Sequence, residues 1–273
     1  MNPGLSATAL KPSSPLAGRP QFTIAAVCYG PHPWLAARLL ASLYRHTSPS
    51  SFLLRIGLNE VMPSTMSLVT EYVARFGNIE VFAEPKNTFK SPLMRRMFTE
   101  RPLLTDWVIW FDDDTHLVRS DWLQRLTLKM EMAPEIAQWG RIYNLYRRDG
   151  EIERFIQAAP WYRGLPLVRK NKSAGGEVIE FQFASGGFWA MKSAVIRALD
   201  WPDPRLIQAN DDFLLGEALR QNGWRIGAFD CGLKINDHPR RNAEAPEVEH
   251  LPVISSATGN ARDALGTLQK NPS

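Results

Sequence analysis

Short apolar runs alternate with amphipathic stretches through the first half of the chain. Residues 22–28 (FTIAAVC) are apolar and partly β-branched, and Tyr29-Gly30-Pro31 stops them, which predicts a buried strand. Over residues 33–46 the apolar positions 35, 39, 40 and 43 form one helical stripe. Residues 52–58 predict a second strand, ending at Asn59-Glu60. A helix follows over 64–76, with Ser64 as its cap after Pro63, and then a third strand over 79–82. Residues 93–103 read as helix, 106–111 (DWVIWF) as a fully buried fourth strand, and 121–132 as another helix. Strands alternating with helices of this length predict βαβ units and a mostly parallel sheet.

After Gly140 the alternation breaks down. Residues 141–180 are basic, aromatic and irregular in pattern, too long for a plain connection. Order returns with an apolar run over 181–191, a short helix to about residue 199, and a helix over 212–222 that Gly223 ends as a left-handed cap. A late strand follows over 224–229. Residues 1–20 and 241–273 mix small, polar and Pro residues without periodicity and read as loosely held tails. One α/β domain over 21–240 is therefore expected, with no internal repeat.

Composition is that of an ordinary globular protein, 44% hydrophobic and 22% charged, so it changes little. No run approaches the roughly 20 apolar residues of a spanning helix, and the first residues do not read as a secretory signal. Cys28 and Cys231 are too few and too far apart for a disulfide framework or a zinc site, so a reducing cytoplasm is the expected compartment. A net charge of +4 is mild. Its distribution is more informative: eight Lys/Arg lie between Arg141 and Lys172 against Asp149, Glu151 and Glu153, with Tyr143, Tyr146, Phe155, Trp161 and Tyr162 interleaved. This is either a solvated face or a surface for a phosphate-bearing or sugar-like substrate.

The sharpest chemical signal is Asp112-Asp113-Asp114. Adjacent carboxylates beyond a buried strand repel one another, and a divalent cation removes that penalty. In an extended chain Asp112 and Asp114 share a side while Asp113 points elsewhere, and hard oxygen ligands suit Mg²⁺ or Mn²⁺. Asn59-Glu60 also lies at the carboxyl end of a predicted strand, where open α/β sheets bind ligands. Lys86, Lys90, Arg95 and Arg96 are candidates to neutralise a diphosphate, or are simply solvated. Gly186-Gly187 allows either a tight bend or close approach of a substrate, and Trp189 is either core or a platform for a sugar ring.

The strand-plus-acid motif WVIWFDDDT, the turn SGGFWAMKSAVI, the helix NDDFLLGEALRQNGWRIG and the first strand and helix (24–43) carry a resemblance. Over roughly residues 22–238 the chain resembles family 2-like GT-A glycosyltransferases. The resemblance implies a Rossmann-like three-layer α/β/α fold with a smaller acceptor-side sheet region. It places nucleotide-sugar binding in 21–140 and the acceptor and catalytic half in 141–240. It implies that Asp112 and Asp114 form the D-x-D holding a divalent metal (Mn²⁺ or Mg²⁺) and the diphosphate of a UDP-sugar, with His238 joining the metal. Asp212 becomes the general base of an inverting transfer, Asp113 and Asp211 line the pocket, and Asn59-Glu60 meets the nucleoside. Here the acidic pair is Asp-Asp where the family has Glu-Asp, and Ala218 stands in place of its Arg.

The acceptor is open: a glycan, a lipid, or a polyanion such as a modified DNA base, which would use the basic stretch. A nucleotidyltransferase would carry a Gly-rich phosphate loop after the first strand, and YGPHPW is not one. A Walker-type loop is absent as well. A nucleic-acid-binding module would explain 141–172 but leave both acidic motifs without a purpose.

Overall fold

The computed structural model describes residues 20–148, 150–172, 176–207 and 210–235. In chain order the elements are β1 (Phe22–Tyr29), α1 (Pro33–His46), β2 (Phe52–Asn59), α2 (Pro63–Phe76), β3 (Ile79–Glu84), α3 (Lys90–Thr99), β4 (Trp107–Asp112) and β5 (Thr115–Leu117). There follow α4 (Trp122–Met132), β6 (Ile136–Arg147), α5 (Gly150–Gln157), β7 (Arg169–Lys172), β8 (Gly176–Lys192), α6 (Ser193–Leu199), α7 (Asp211–Gln221), β9 (Arg225–Ala228) and β10 (Leu233–Ile235).

The main sheet has the order β3-β2-β1-β4-β8-β6-β9, with β7 paired to β8, and β5 and β10 form a small second sheet. The block β3-β2-β1-β4 is parallel, β8 runs antiparallel to both β4 and β6, and β9 returns parallel to β6. Because β1, β2 and β4 are covered on both faces, their sequences are almost uninterrupted apolar runs. Alternate residues of β1 feed two separate cores. Phe22, Ile24, Ala26 and Cys28 join α1, α2 and α4 on one face; Ala25 and Val27 join α3, α6 and α7 on the other.

The chain leaves β1 for β2 on one side and returns to β4 on the other. Such a reversal of strand order opens a crevice beyond the carboxyl ends of β1 and β4. In register, Tyr29 stands beside Asn59, Asn59 beside Glu84, and Val27 beside Asp112, so these ends form one rim.

Several expectations need correction. The stretch 141–180 is largely regular: β6 and β8 are the longest strands and pair antiparallel across it, with α5 and β7 between them. Strand β6 is buried throughout Ile136–Gly140 and half-buried or exposed beyond, so that end offers no clean alternation to read. Some cations of the basic stretch are ion-paired within the protein. Arg169 pairs with Glu153 and Glu177, Lys170 with Glu180, and Arg141 with Asp230. Most of those acids come from outside the window that looked basic. Helix α3 starts at Lys90, and α2 opens on Pro63, a favoured first position, with Ser64 inside its first turn making no side-chain cap bond. Gly223 does adopt the left-handed conformation after α7 (φ 72°). Among the described residues no helix is long and apolar enough to cross a membrane, and Cys28 and Cys231 are not joined in a disulfide.

Candidate functional site

Strand β4 delivers Asp112 to the rim, and there the chain turns. Indole Nε1 of Trp110 donates to Asp112 Oδ1 at 3.0 Å. Asp113 faces the other way: its Oδ2 accepts the backbone N–H of Tyr29 at 3.2 Å, tying the ends of β4 and β1 across the crevice. Asp114 is buried, and its carbonyl accepts from Arg38 Nη2 at 3.3 Å. The extended-chain argument thus holds for Asp112 and Asp113 but stops there. Asp113 and Asp114 form the turn between β4 and β5, so strand alternation does not extend to Asp114.

The second acidic motif arrives from a hundred residues away. Asp211 and Asp212 open α7 after Asn210, whose backbone is left-handed (φ 64°) and whose side chain accepts from Arg147 at 3.1 Å. Asp212 Oδ2 accepts the N–H of Gly186 at 2.9 Å. Gly186 lies in an irregularity where β8 sets residues 185–188 opposite Arg141 alone, a bulge that turns this amide toward α7. A Cβ on Gly186 would stand 2.9 Å from Asp212 Oδ2, and one on Gly187 would stand 2.8 Å from Ile235 Cγ2. The glycine pair is required for close packing within the protein, of which the Asp212 contact is part.

Lys90 joins the two motifs. Its Nζ lies 3.0 Å from Asp112 Oδ1 and 3.2 Å from Asp211 Oδ2, with the Trp110 ring 5.5 Å away. Burial opposes the charge on Lys90, but Asp112, Asp211 and Asp212 outweigh it and raise its pKa. The pKa of Asp211 is lowered: burial works against ionisation, and the Lys90 charge together with hydrogen bonds from Asp212 and Lys90 more than offsets it. Asp212 is pushed up to about 7, first by burial and then by the charge of Asp211, with Lys90 opposing and Asp112 adding. Two adjacent carboxyls are thus driven apart in acidity, the arrangement by which an active site separates a fixed anion from a proton acceptor.

A loop network sets Lys90 in place. Asn59 is buried; its Nδ2 donates to Asn87 Oδ1 at 2.9 Å and its Oδ1 accepts the N–H of Thr88 at 2.9 Å. Asn87 in turn donates to the Tyr29 hydroxyl at 3.2 Å and accepts the Phe89 N–H at 2.8 Å. Asn59, expected to meet the nucleoside, therefore spends its amide on the loop that leads into α3. Glu60 is exposed on the same rim, in a left-handed conformation (φ 50°), and Lys86 is exposed on that loop.

Two expected substrate contacts are corrected. Arg95 holds Asp200 at 2.7 Å and donates to the carbonyls of Asp200 and Pro202, so its guanidinium locks α3 to the turn after α6. Trp189 is buried, stacks on Trp110 at 5.9 Å and packs edge-on against Phe98; it is core and has no face for a sugar. His238 lies outside the described residues. Sequence reasoning did not find the part played by Asn87 and Tyr29, for which no local signal exists.

Among the described residues no group of three or more His, Cys, Asp or Glu side chains is placed to hold a metal ion. The charge balance nonetheless fits a divalent cation. Asp112, Asp211 and Asp212 interact with a single ammonium, which leaves the pocket short of positive charge.

No family model matches the chain, and no curated protein matches it either. Solved structures do match. One is the mannosyltransferase PcManGT from Pyrobaculum calidifontis in complex with GDP-Man and Mn²⁺, at 12% identity and a TM-score of 0.52, over 79% of this chain and 56% of that one. Another is S. aureus TarS 1–349, at 13% identity and a TM-score of 0.51, over 79% of this chain and 59% of that one. The same TarS segment in complex with UDP matches over 91% of this chain and 69% of that one, at 13% identity and a TM-score of 0.53. The chain has the GT-A fold. In the first two alignments it spans a little over half the length of its neighbours, and at such identities the likeness concerns the fold alone. The rim described above is the candidate site within that fold.

Proposed function

We propose that this chain is an inverting glycosyltransferase that moves a sugar from a nucleotide-diphosphate donor, a UDP-sugar, to an acceptor hydroxyl. The observation that carries the proposal is the meeting of two acidic motifs, 112–114 and 211–212, through one ammonium at the strand-order reversal of a GT-A fold.

Asp212 is the proton acceptor. Its Oδ2 is held by the Gly186 amide, which orients the carboxylate toward an incoming hydroxyl, and its raised affinity for protons suits a base working near neutrality. The acceptor oxygen forms a bond to the anomeric carbon as the bond to the leaving phosphate oxygen breaks on the opposite face. Its proton passes to Asp212, and configuration inverts. Asp112 and Asp114 would hold a divalent ion, Mn²⁺ or Mg²⁺, with His238 as a further ligand; when bound, it supplies charge to the departing diphosphate. Asp113 keeps the strand ends together through Tyr29, and Glu60 and Lys86 stand on the rim where the nucleotide would lie. The acceptor stays open: in the basic stretch Arg141, Arg169 and Lys170 are ion-paired within the protein.

The test is a thermal-shift panel of UDP- and GDP-sugars with and without Mn²⁺, joined to turnover measurements. At least one sugar nucleotide should stabilise the protein in a metal-dependent way. Asp114→Ala should abolish that shift, whereas Asp212→Asn should keep it and lose roughly 10²–10⁴-fold in turnover. A panel with no metal-dependent shift removes the reading; equal loss of binding in both variants removes the assignment of roles.

A further inference from the structure

Lys90 sits where local rules disfavour it. It is the first residue of α3, at the positive pole of the helix dipole, and no side chain caps that end. The residue before it, Phe89, is bulky and left-handed (φ 66°), a conformation that costs free energy and persists only where surroundings enforce it. The enforcing parts are the Asn59–Asn87–Thr88 hydrogen bonds behind the loop and the carboxylates ahead of it. Lys90 Nζ reaches Asp112 Oδ2 at 3.4 Å as well as Oδ1 at 3.0 Å, so one ammonium covers both oxygens of this carboxylate. The side chain is 25% exposed, which leaves it reachable from the crevice.

Among the described residues, Asp112 without Lys90 would face Asp211 and Asp212 with no ion-paired cation between them. With Lys90, the group still carries more negative than positive charge, and a diphosphate cannot settle there unless further cations arrive. A divalent ion seeking Asp112 must displace the ammonium. A diphosphate offers that ammonium a new partner, since phosphate oxygens accept strong charge-assisted hydrogen bonds.

We propose that Lys90 is a positioning residue and an exchangeable counter-cation: it clamps Asp112 to Asp211 before the donor binds and shifts to the donor's diphosphate, so that a divalent ion takes Asp112 only together with the nucleotide. This inference rests on the donor-site reading given above. It makes ion and donor binding interdependent through one side chain, and each must strengthen the other by the same factor.

The full chain, Lys90→Gln and Lys90→Arg are compared by thermal melts in chelator and in Mn²⁺, and by Mn²⁺ titration with and without UDP. Lys90→Gln should melt roughly 5 °C or more below the wild type in chelator and recover when Mn²⁺ is added. Without UDP it should bind Mn²⁺ about tenfold more tightly than the wild type, and UDP should improve its Mn²⁺ affinity less. Lys90→Arg should follow the wild type. Lys90→Gln that melts like the wild type in chelator, or binds Mn²⁺ no more tightly without UDP, overturns the inference. If Lys90→Gln is insoluble, recovery of soluble protein by Mn²⁺ or by adding Asp211→Asn supports the clamp, and recovery by neither overturns it. Wild-type protein that fails to bind Mn²⁺ even with UDP instead overturns the donor-site reading itself, and the UDP arm separates the two failures.

Discussion

Helix α3 rests on a cation at each end, and the two ends follow opposite rules. At its carboxyl end Arg55, from β2, donates to the carbonyls of Met97, Arg101 and Pro102 at 2.6, 3.0 and 2.7 Å and to Glu80 at 2.8 Å. A positive group on the last carbonyls of a helix satisfies orphan acceptors and agrees with the dipole. At the amino end Lys90 opposes the dipole, follows a strained residue and has carboxylate partners in place of backbone ones. The first cation is spent on the fold. The second is held where local rules disfavour it, a mismatch between local preference and global structure of the kind found at functional sites.

The comparison can be broken at either end. The largest effect on stability is expected at the fold-bearing end. Arg55→Ala leaves several carbonyls without their donor and Glu80 with Arg101 alone, and should cost about 3 kcal/mol in denaturant unfolding. The fraction that remains folded should still show the donor-induced thermal shift. A loss of that shift in fully folded Arg55→Ala would mean that the two ends are not independent.

At the functional end, Gly186→Ala should cost little stability and much activity. The added methyl meets the Asp212 carboxylate and displaces the proton acceptor, so turnover should fall about tenfold to a hundredfold while donor affinity holds. Equal falls in stability and turnover would make the glycine merely structural.

The smallest and most diagnostic effect is in pH dependence. The proposed base Asp212 would act only when ionised, so turnover should rise as pH increases through about 7. Stability should move the other way. A carboxyl whose folded pKa lies above its unfolded value contributes most below the unfolded pKa, about 4, and that contribution is lost as pH rises through about 7. Asp212→Asn should flatten this part of the stability profile, measured by denaturant melts from pH 4 to 8. An unchanged profile would place the titration elsewhere.

Legibility of the site tracked the range of the interactions that make it. The run Asp112–Asp114 was readable because a strand and the acids beyond it are contiguous, and Asp211-Asp212 because a helix's first turn has a local signature. Lys90 and Arg95 looked equivalent: two cations five residues apart near one predicted helix. Only their partners distinguish them, Asp112 and Asp211 for one, Asp200 and Pro202 for the other, and those lie far along the chain. Trp189 could not be separated from a sugar platform until Trp110 and Phe98 were seen against it. A residue count over 141–172 likewise omits partners beyond it: Glu177 and Glu180 on the neighbouring strand β8, and Asp230 after β9.

The sequence by itself determined the alternation of strands and helices, the parallel sheet and the placing of acids at strand and helix ends, because apolar periodicity and capping act over a few residues. Tertiary structure alone decided which charges neutralise each other, which glycine yields to a carboxylate and which of two neighbouring cations enters the site. Electrostatic pairing and close packing depend on distance in space, and a sheet whose strand order reverses brings together residues a hundred positions apart.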